Sequence, residues 1–283
     1  KERISFRENQ DIYYVSDVFK ITPGSRWEVE VILPDGEIYR STSEKAPEKV
    51  SIENIYSEFN PEMAYDEVFG GYIPGDVIKI DFQDPVDQKN FYLFQYRAYQ
   101  EEMYCKICDE SILRDGNCLE EPNNPFLLNK YFTYICDERC WKITYNDEII
   151  VFDDEFTNGK SISKLLVGRV PYETKQNILV EVINLNISEN AYNYYKAIKD
   201  LVDNNSGLNA PLPTALVGNF NGITNPESNV LGRFTAGSSE IKSVFIPRKQ
   251  RTVRTLGNIK LPSPEAYGDP IPNPMTYETP CEE

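Results

Sequence analysis

A two-residue rhythm of apolar side chains runs through most of this chain and constrains its fold more than any other feature. Trp27, Val29, Val31 and Leu33 alternate with Glu28 and Glu30, and Tyr92, Phe94, Tyr96 and Ala98 share one face further on. Only an extended strand puts every second residue on one side, so each segment needs a second layer to bury that side against. The chain carries 19 Tyr and 14 Phe, residues that favour a pleated surface. It is predicted to be mainly β.

The strand segments fall into two groups. In residues 1–45, strands are expected at 3–6, 12–15 and 27–33, followed by the turn Pro34-Asp35-Gly36 and a returning strand at 38–41. So few strands with one apolar face do not close a sandwich. The segment is therefore read as the C-terminal strands of a partial immunoglobulin-like sandwich, its front strands lying upstream or its open side covered by a partner. The charged link 43–49, with Pro47, leads into a larger β-rich domain at 46–250. Strands are expected there at 50–59, 77–82, 91–99, 141–145, 148–152, 178–187, 230–236 and 241–246.

One inserted helix breaks this rhythm. After Ser188, a suitable N-cap, Ala191, Tyr194, Tyr195, Ile198, Leu201 and Val202 recur at helical spacing. The helix is placed at about 188–204, ended by Asn204, Asn205 and Gly207, with its apolar stripe packed on the sheet. Residues 251–283, with Pro262, Pro264, Pro270, Pro272, Pro274 and Pro280, read as an extended tail that must lie along a surface because it has no core.

Cys105, Cys108, Cys118, Cys136 and Cys140 cluster within the loop 100–140, and Cys281 is the remaining cysteine. The intervening residues are mostly turn formers and charges. Cys105-x2-Cys108 and Cys136-x3-Cys140 formally supply four thiolates to one zinc. Cys118 is then left over, and Asp109, Glu110, Asp137 and Glu138 crowd the site. Disulfides stapling the loop in an oxidising compartment are the expectation, and no metal is assigned to the cysteines.

Composition removes several functions. Lys and Arg number 29 against 45 Asp and Glu, a net charge of −16, which opposes binding to a phosphate backbone; no nucleic-acid partner is expected. There is no histidine, so the nucleophile–imidazole systems and the usual proton shuttle are excluded. A paired-carboxylate glycosidase is compatible with the composition, but nothing marks one acid as buried and its partner as exposed. The cluster most like a metal site is Asp153, Asp154, Glu155 and Asn158 ahead of Gly159, oxygen ligands suited to Ca²⁺. Its order does not fit the EF-hand loop, and solvated turn residues are the favoured reading. No segment approaches the roughly 18 apolar residues of a spanning helix. The sequence starts at Lys1 without Met, which fits a leader upstream.

Several longer stretches carry a resemblance. Residues 137–143 (DERCWKI) and 151–159 (VFDDEFTNG) are followed by 185–192 (LNISENAY), by Pro211 to Pro213 ahead of Val217-Gly218-Asn219, and by 230–236 (VLGRFTA). In order and spacing they resemble the Bacteroidota outer-membrane lipoproteins grouped as domain of unknown function 4249, from roughly residue 10 to 248. The resemblance implies a lipid anchor upstream of the chain, an immunoglobulin-like domain, a larger β-rich domain, and genes that neighbour TonB-dependent receptors. It supplies no catalytic residue. The expectation is a non-enzymatic accessory subunit of a TonB-dependent receptor-like β-barrel, at the cell surface or the periplasm-facing side of the outer membrane, as a substrate-capturing lid or a structural subunit. A free carbohydrate- or peptide-binding module is the alternative.

Overall fold

The computed structural model describes residues 4–253 apart from 10–11, 15–18, 68–69, 87, 109–110, 115–116, 121–132, 204–215 and 228–229; within 7–14 and 101–141 it describes the strand backbone alone. In chain order the strands are β1 (Arg7–Asn9), β2 (Ile12–Tyr14), β3 (Arg26–Trp27), β4 (Glu30–Ile32), β5 (Ile38–Ser41), β6 (Glu44–Lys45), β7 (Ile52–Asp66), β8 (Gly71–Gln83) and β9 (Phe91–Cys108). Then follow β10 (Ser111–Arg114), β11 (Asn117–Glu120), β12 (Thr133–Tyr145), β13 (Ile150–Asp153), β14 (Ser161–Pro171), β15 (Ile178–Ile187), helix α1 (Glu189–Asp203), β16 (Phe220–Gly222) and β17 (Ser238–Ile246). The chain is mainly β, with one helix among the described residues.

Two antiparallel sheets face each other. One runs β12-β9-β15-β17, with β13 beside the start of β9, and the other runs β14-β8-β7. Ile78, Ile80 and Phe82 of β8 meet Tyr92, Phe94, Tyr96 and Ala98 of β9 and Ile178, Val180 and Val182 of β15, every one of them buried. The alternation read from 92–98 is this inner face. At the seam where β14 meets β9, a Cβ on Gly168 would lie 2.6 Å from the Tyr96 ring, so only glycine lets that ring rest on the β14 backbone. The Tyr96 hydroxyl then donates to the Arg169 carbonyl at 2.7 Å.

Each end of this interior is closed by a buried aspartate, Asp76 within β8 and Asp84 just after its last residue. Asp76 takes Arg248 Nε at 2.9 Å and both terminal nitrogens of Arg251, at 2.9 and 2.6 Å, with Arg251 stacked 4.5 Å from the Phe59 ring centroid. Burial pushes the Arg248 guanidinium down from its ordinary value, against the pull of Asp76. Asp84, at the other end, has no cation against it among the described residues and accepts from the Tyr92 hydroxyl and from Gly159 N at 2.9 Å.

The expected strands at 178–187 and 241–246 are present as β15 and β17, and the helix starts where Ser188 places it: the Ser188 hydroxyl accepts from Ala191 N at 3.2 Å. β14 went unread because its ladder with β8 shifts register between Ile162 and Leu165 and again between Leu166 and Gly168, which destroys the two-residue rhythm. Lys164 sits in the first irregularity with φ 53°. The expected strand 27–33 splits into β3 and β4, which join different sheets. At the break, Val29 N donates to the Ser41 hydroxyl at 2.9 Å. The segment 230–236 is not a strand either. Gly232 has φ +118°, and the Asn219 carboxamide replaces a ladder, donating to Phe234 O at 2.9 Å and accepting from Phe234 N at 2.8 Å.

The N-terminal strands are tied to the rest by elements distant in sequence. β5 pairs with β16 along its free edge, opposite β4. Glu44, 5% exposed at its side chain, accepts from Arg233 and from Ser188 Oγ at 2.6 Å. Just beyond, Val50 N donates to Asn186 Oδ1 at 3.0 Å and Val50 O accepts from Asn184 Nδ2 at 3.1 Å. Asn184, Asn186 and Ser188 thus lock residues 44–50 to the end of β15 and the start of α1.

Candidate functional site

The outer face of the β9-β15-β17 sheet carries the odd-numbered residues of β9, β15 and β17, because the even-numbered ones fill the interior. One half of this face is covered. Leu93 and Ile187 are buried under Ala191 and Tyr192 of α1, with Phe91, Val151, Leu185 and Tyr195 around them. The Tyr192 hydroxyl donates to Asp153, and burial, then this hydrogen bond, raises its pKa.

The other half is open. Register places Ile143, Tyr99, Leu179 and Phe245 in one row across the strands, Tyr145, Arg97, Glu181 and Ser243 in the next, and Gln95, Ile183 and Ile241 in a third. Tyr145 is 66% exposed, Phe245 59% and Ile241 48%. In the middle, Arg97 Nε meets Glu181 at 2.6 Å and the Tyr99 hydroxyl donates to the same carboxylate at 3.0 Å. Burial first and this carboxylate second raise the Tyr99 pKa. The patch is thus aromatic and aliphatic, with its central charges neutralised, on a chain of net charge −16.

The same sheet extends into the cysteine segment. β15 ends its pairing with β9 at Gln100, whereas β12 continues alongside β9 as far as Cys108, so residues 101–108 and 133–141 form a two-stranded ribbon, followed by the β10-β11 hairpin. The expected irregular loop at 100–140 is therefore largely strand. The register slips between Ile135, opposite Lys106, and Glu138, opposite Tyr104, so the backbone sets Cys105 against residues 136–137. Cys108 pairs with Thr133, Cys140 with Glu102 and Cys118 with Leu113. The side chains of these five cysteines, and all of Cys281 with the proline-rich tail from 254, lie outside the described residues.

The calcium candidates do not converge. Asp154 is buried and accepts from Asn90 N at 2.9 Å and Asn90 Nδ2 at 3.1 Å. Asp153 faces Tyr192 and accepts from Glu155 N at 3.1 Å, while Asn158 Nδ2 donates to Gln88 O at 3.1 Å. These are turn and anchor bonds, and no group of three acidic or sulfur side chains suited to a metal exists among the described residues. Sequence reasoning missed the open patch, since Ile241 and Phe245 were read only as strand. The available signal was that β17 is apolar on both faces, with Val244 and Ile246 inward and Ile241 and Phe245 outward.

Among the described residues, fold and surfaces together define an antiparallel β-sandwich with a single flanking helix and one sheet face half uncovered. Residues 1–243 match the family described as domain of unknown function (DUF4249), and the chain belongs to that family. The comparison with curated proteins finds no match.

Proposed function

We propose that the protein is a non-enzymatic accessory subunit of an outer-membrane complex, held by a lipid anchor upstream of the chain and docked on a TonB-dependent receptor-like β-barrel. The open half of the outer sheet face carries this reading. Protein interfaces are built around aromatic and arginine anchors rimmed by polar groups, and the patch offers Tyr145, Tyr99 and Phe245 around the Arg97–Glu181 pair. Its local neutrality lets an apolar partner approach without meeting the excess negative charge carried elsewhere. A contiguous apolar face of this kind on a folded chain marks an interaction site.

The oxidising compartment belongs to the same proposal. A two-stranded ribbon is marginal in water by itself, and disulfides among Cys105, Cys108, Cys118, Cys136 and Cys140 supply the missing constraint. The non-enzymatic reading rests on the absence of histidine and on the use of Asp84 and Asp154 as hydrogen-bond anchors. The test is purification of the tagged native protein in mild detergent with identification of co-eluting chains. A β-barrel of the receptor class in fixed ratio is expected; elution alone at monomer mass overturns the proposal.

A further inference from the structure

Two cavities lined by described residues differ in their chemistry. The larger, about 590 Å³, lies between the end of α1 and the β13 and β14 edges. Four of its five charged groups are matched, Arg169 with Glu148 at 2.8 Å and Lys199 with Asp203, which leaves only the exposed Asp147. One solvated carboxylate does not select a ligand.

The second cavity, about 400 Å³, lies between α1, Thr42 and the segment 216–221, with Arg233 in its wall. Its volume is toward the small end of the roughly 300–1,000 Å³ typical of small-molecule sites. Asn190, Asn193, Tyr194 and Ala197 recur at helical spacing and present one face of α1 to it, and Asn221 faces them from β16. Among the described residues the carboxamides of Asn190, Asn193 and Asn221 make no hydrogen bond. Arg233 is 6% exposed at its side chain, with Nη2 on Glu44 and a buried Nε that has no partner. That Nε has no accessible surface, so Arg233 serves as a charge-neutralised wall of the cavity and the exposed carboxamides are the groups that meet a ligand.

We propose that this cavity binds a neutral saccharide of one or two residues. A carboxamide offers both donors and an acceptor, the combination that a hydroxyl matches from either side. The Tyr194 ring, Ala197 and Val217 supply an apolar strip for the C–H face of a pyranose. Charge selects against acids: Glu44 neutralises Arg233, and no other Lys, Arg, Asp or Glu among the described residues lines the cavity. An anionic ligand would add an uncompensated charge beside Glu44. This inference does not depend on the receptor reading, since the cavity lies on a different part of the molecule from the open patch.

Saturation-transfer NMR on the isolated chain tests it, with glucose, N-acetylglucosamine, maltose and cellobiose as neutral probes and glucuronate as the charged counterpart. At least one neutral sugar gives transfer, glucuronate binds more weakly than glucose, and Asn193→Ala and Asn221→Ala each raise the Kd about tenfold. Both positions are exposed, so the variants keep the parental melting temperature and report on the cavity alone. Absence of transfer to every neutral probe overturns the proposal. So does transfer undiminished in both variants, or tighter binding of glucuronate than of glucose.

Discussion

The two halves of the outer sheet face are alike in chemistry and opposite in fate. Under α1, Leu93, Leu185 and Ile187 are packed by Ala191 and Tyr192; further along the same strands, Leu179, Ile183, Phe245 and Ile241 have no layer over them among the described residues. Topology, not hydrophobicity, makes the difference. α1 follows Ile187 after one residue, so the helix lies over the end of the sheet where β9 begins and β13 and β15 finish. At roughly 1.5 Å per residue its 15 residues span only about 22 Å. Apolar alternation thus reports how many faces a strand needs buried, and the connections decide which of them the chain buries itself.

Truncating the covered half has the largest expected effect. Leu93→Ala removes a buried side chain and leaves a cavity beneath Tyr192, so it is expected to cost about 3 kcal/mol in denaturant unfolding. The corresponding change in the open half, Leu179→Ala, is expected to cost less than about 1 kcal/mol in the isolated chain. Equal losses at both sites would erase the contrast.

High pH sharpens it next. Burial pushes the Tyr96 phenol up to about 12 from its ordinary value of 10.0, and the Tyr192 phenol is raised as well. These groups stay protonated in the native state after the unfolded chain has released its protons. Their contribution is therefore complete below about pH 10 and is lost as pH rises through about 12, Tyr96 alone accounting for roughly 3 kcal/mol. Tyrosinate absorbance is expected to rise in two stages, exposed phenols first and the buried set together with unfolding. A single stage near pH 10 with the fold intact would show that these phenols are not held by burial.

Loosening the cover itself comes third. Ser188→Ala deletes the α1 N-cap and a hydrogen bond to Glu44, at an expected cost of about 1–2 kcal/mol. Hydrogen exchange should then rise under α1 and stay unchanged at β17. A uniform rise across both regions would mean that the helix and the whole sheet unfold as one unit.

Sequence and structure agree where local chemistry repeats undisturbed. The alternations at 92–98 and 178–187, the turn at Pro34 and the Ser188 cap were legible because each needs only its neighbours. β14 was not, because two register shifts scramble Leu165, Leu166 and Val167. The segment 230–236 misled because Asn219, a residue far from it in the chain, supplies the bonds that a neighbouring strand would have given. The surfaces were less legible still. Tyr145, Arg97, Leu179 and Phe245 come from four strands, and only the register of the folded sheet makes them one patch.

The open half has the smallest expected effect on stability and the largest on assembly. Tyr145→Ser combined with Phe245→Ser removes two exposed rings, so unfolding of the isolated chain should change by no more than about 0.5 kcal/mol at each site. Mild-detergent purification of this double variant beside the parent protein tests the docking surface most directly. The account predicts that the parent carries a receptor-class β-barrel in fixed ratio and that the double variant, equally stable, elutes without it. Retention of the barrel by the double variant in the same ratio would contradict the claim that this face is where the protein docks.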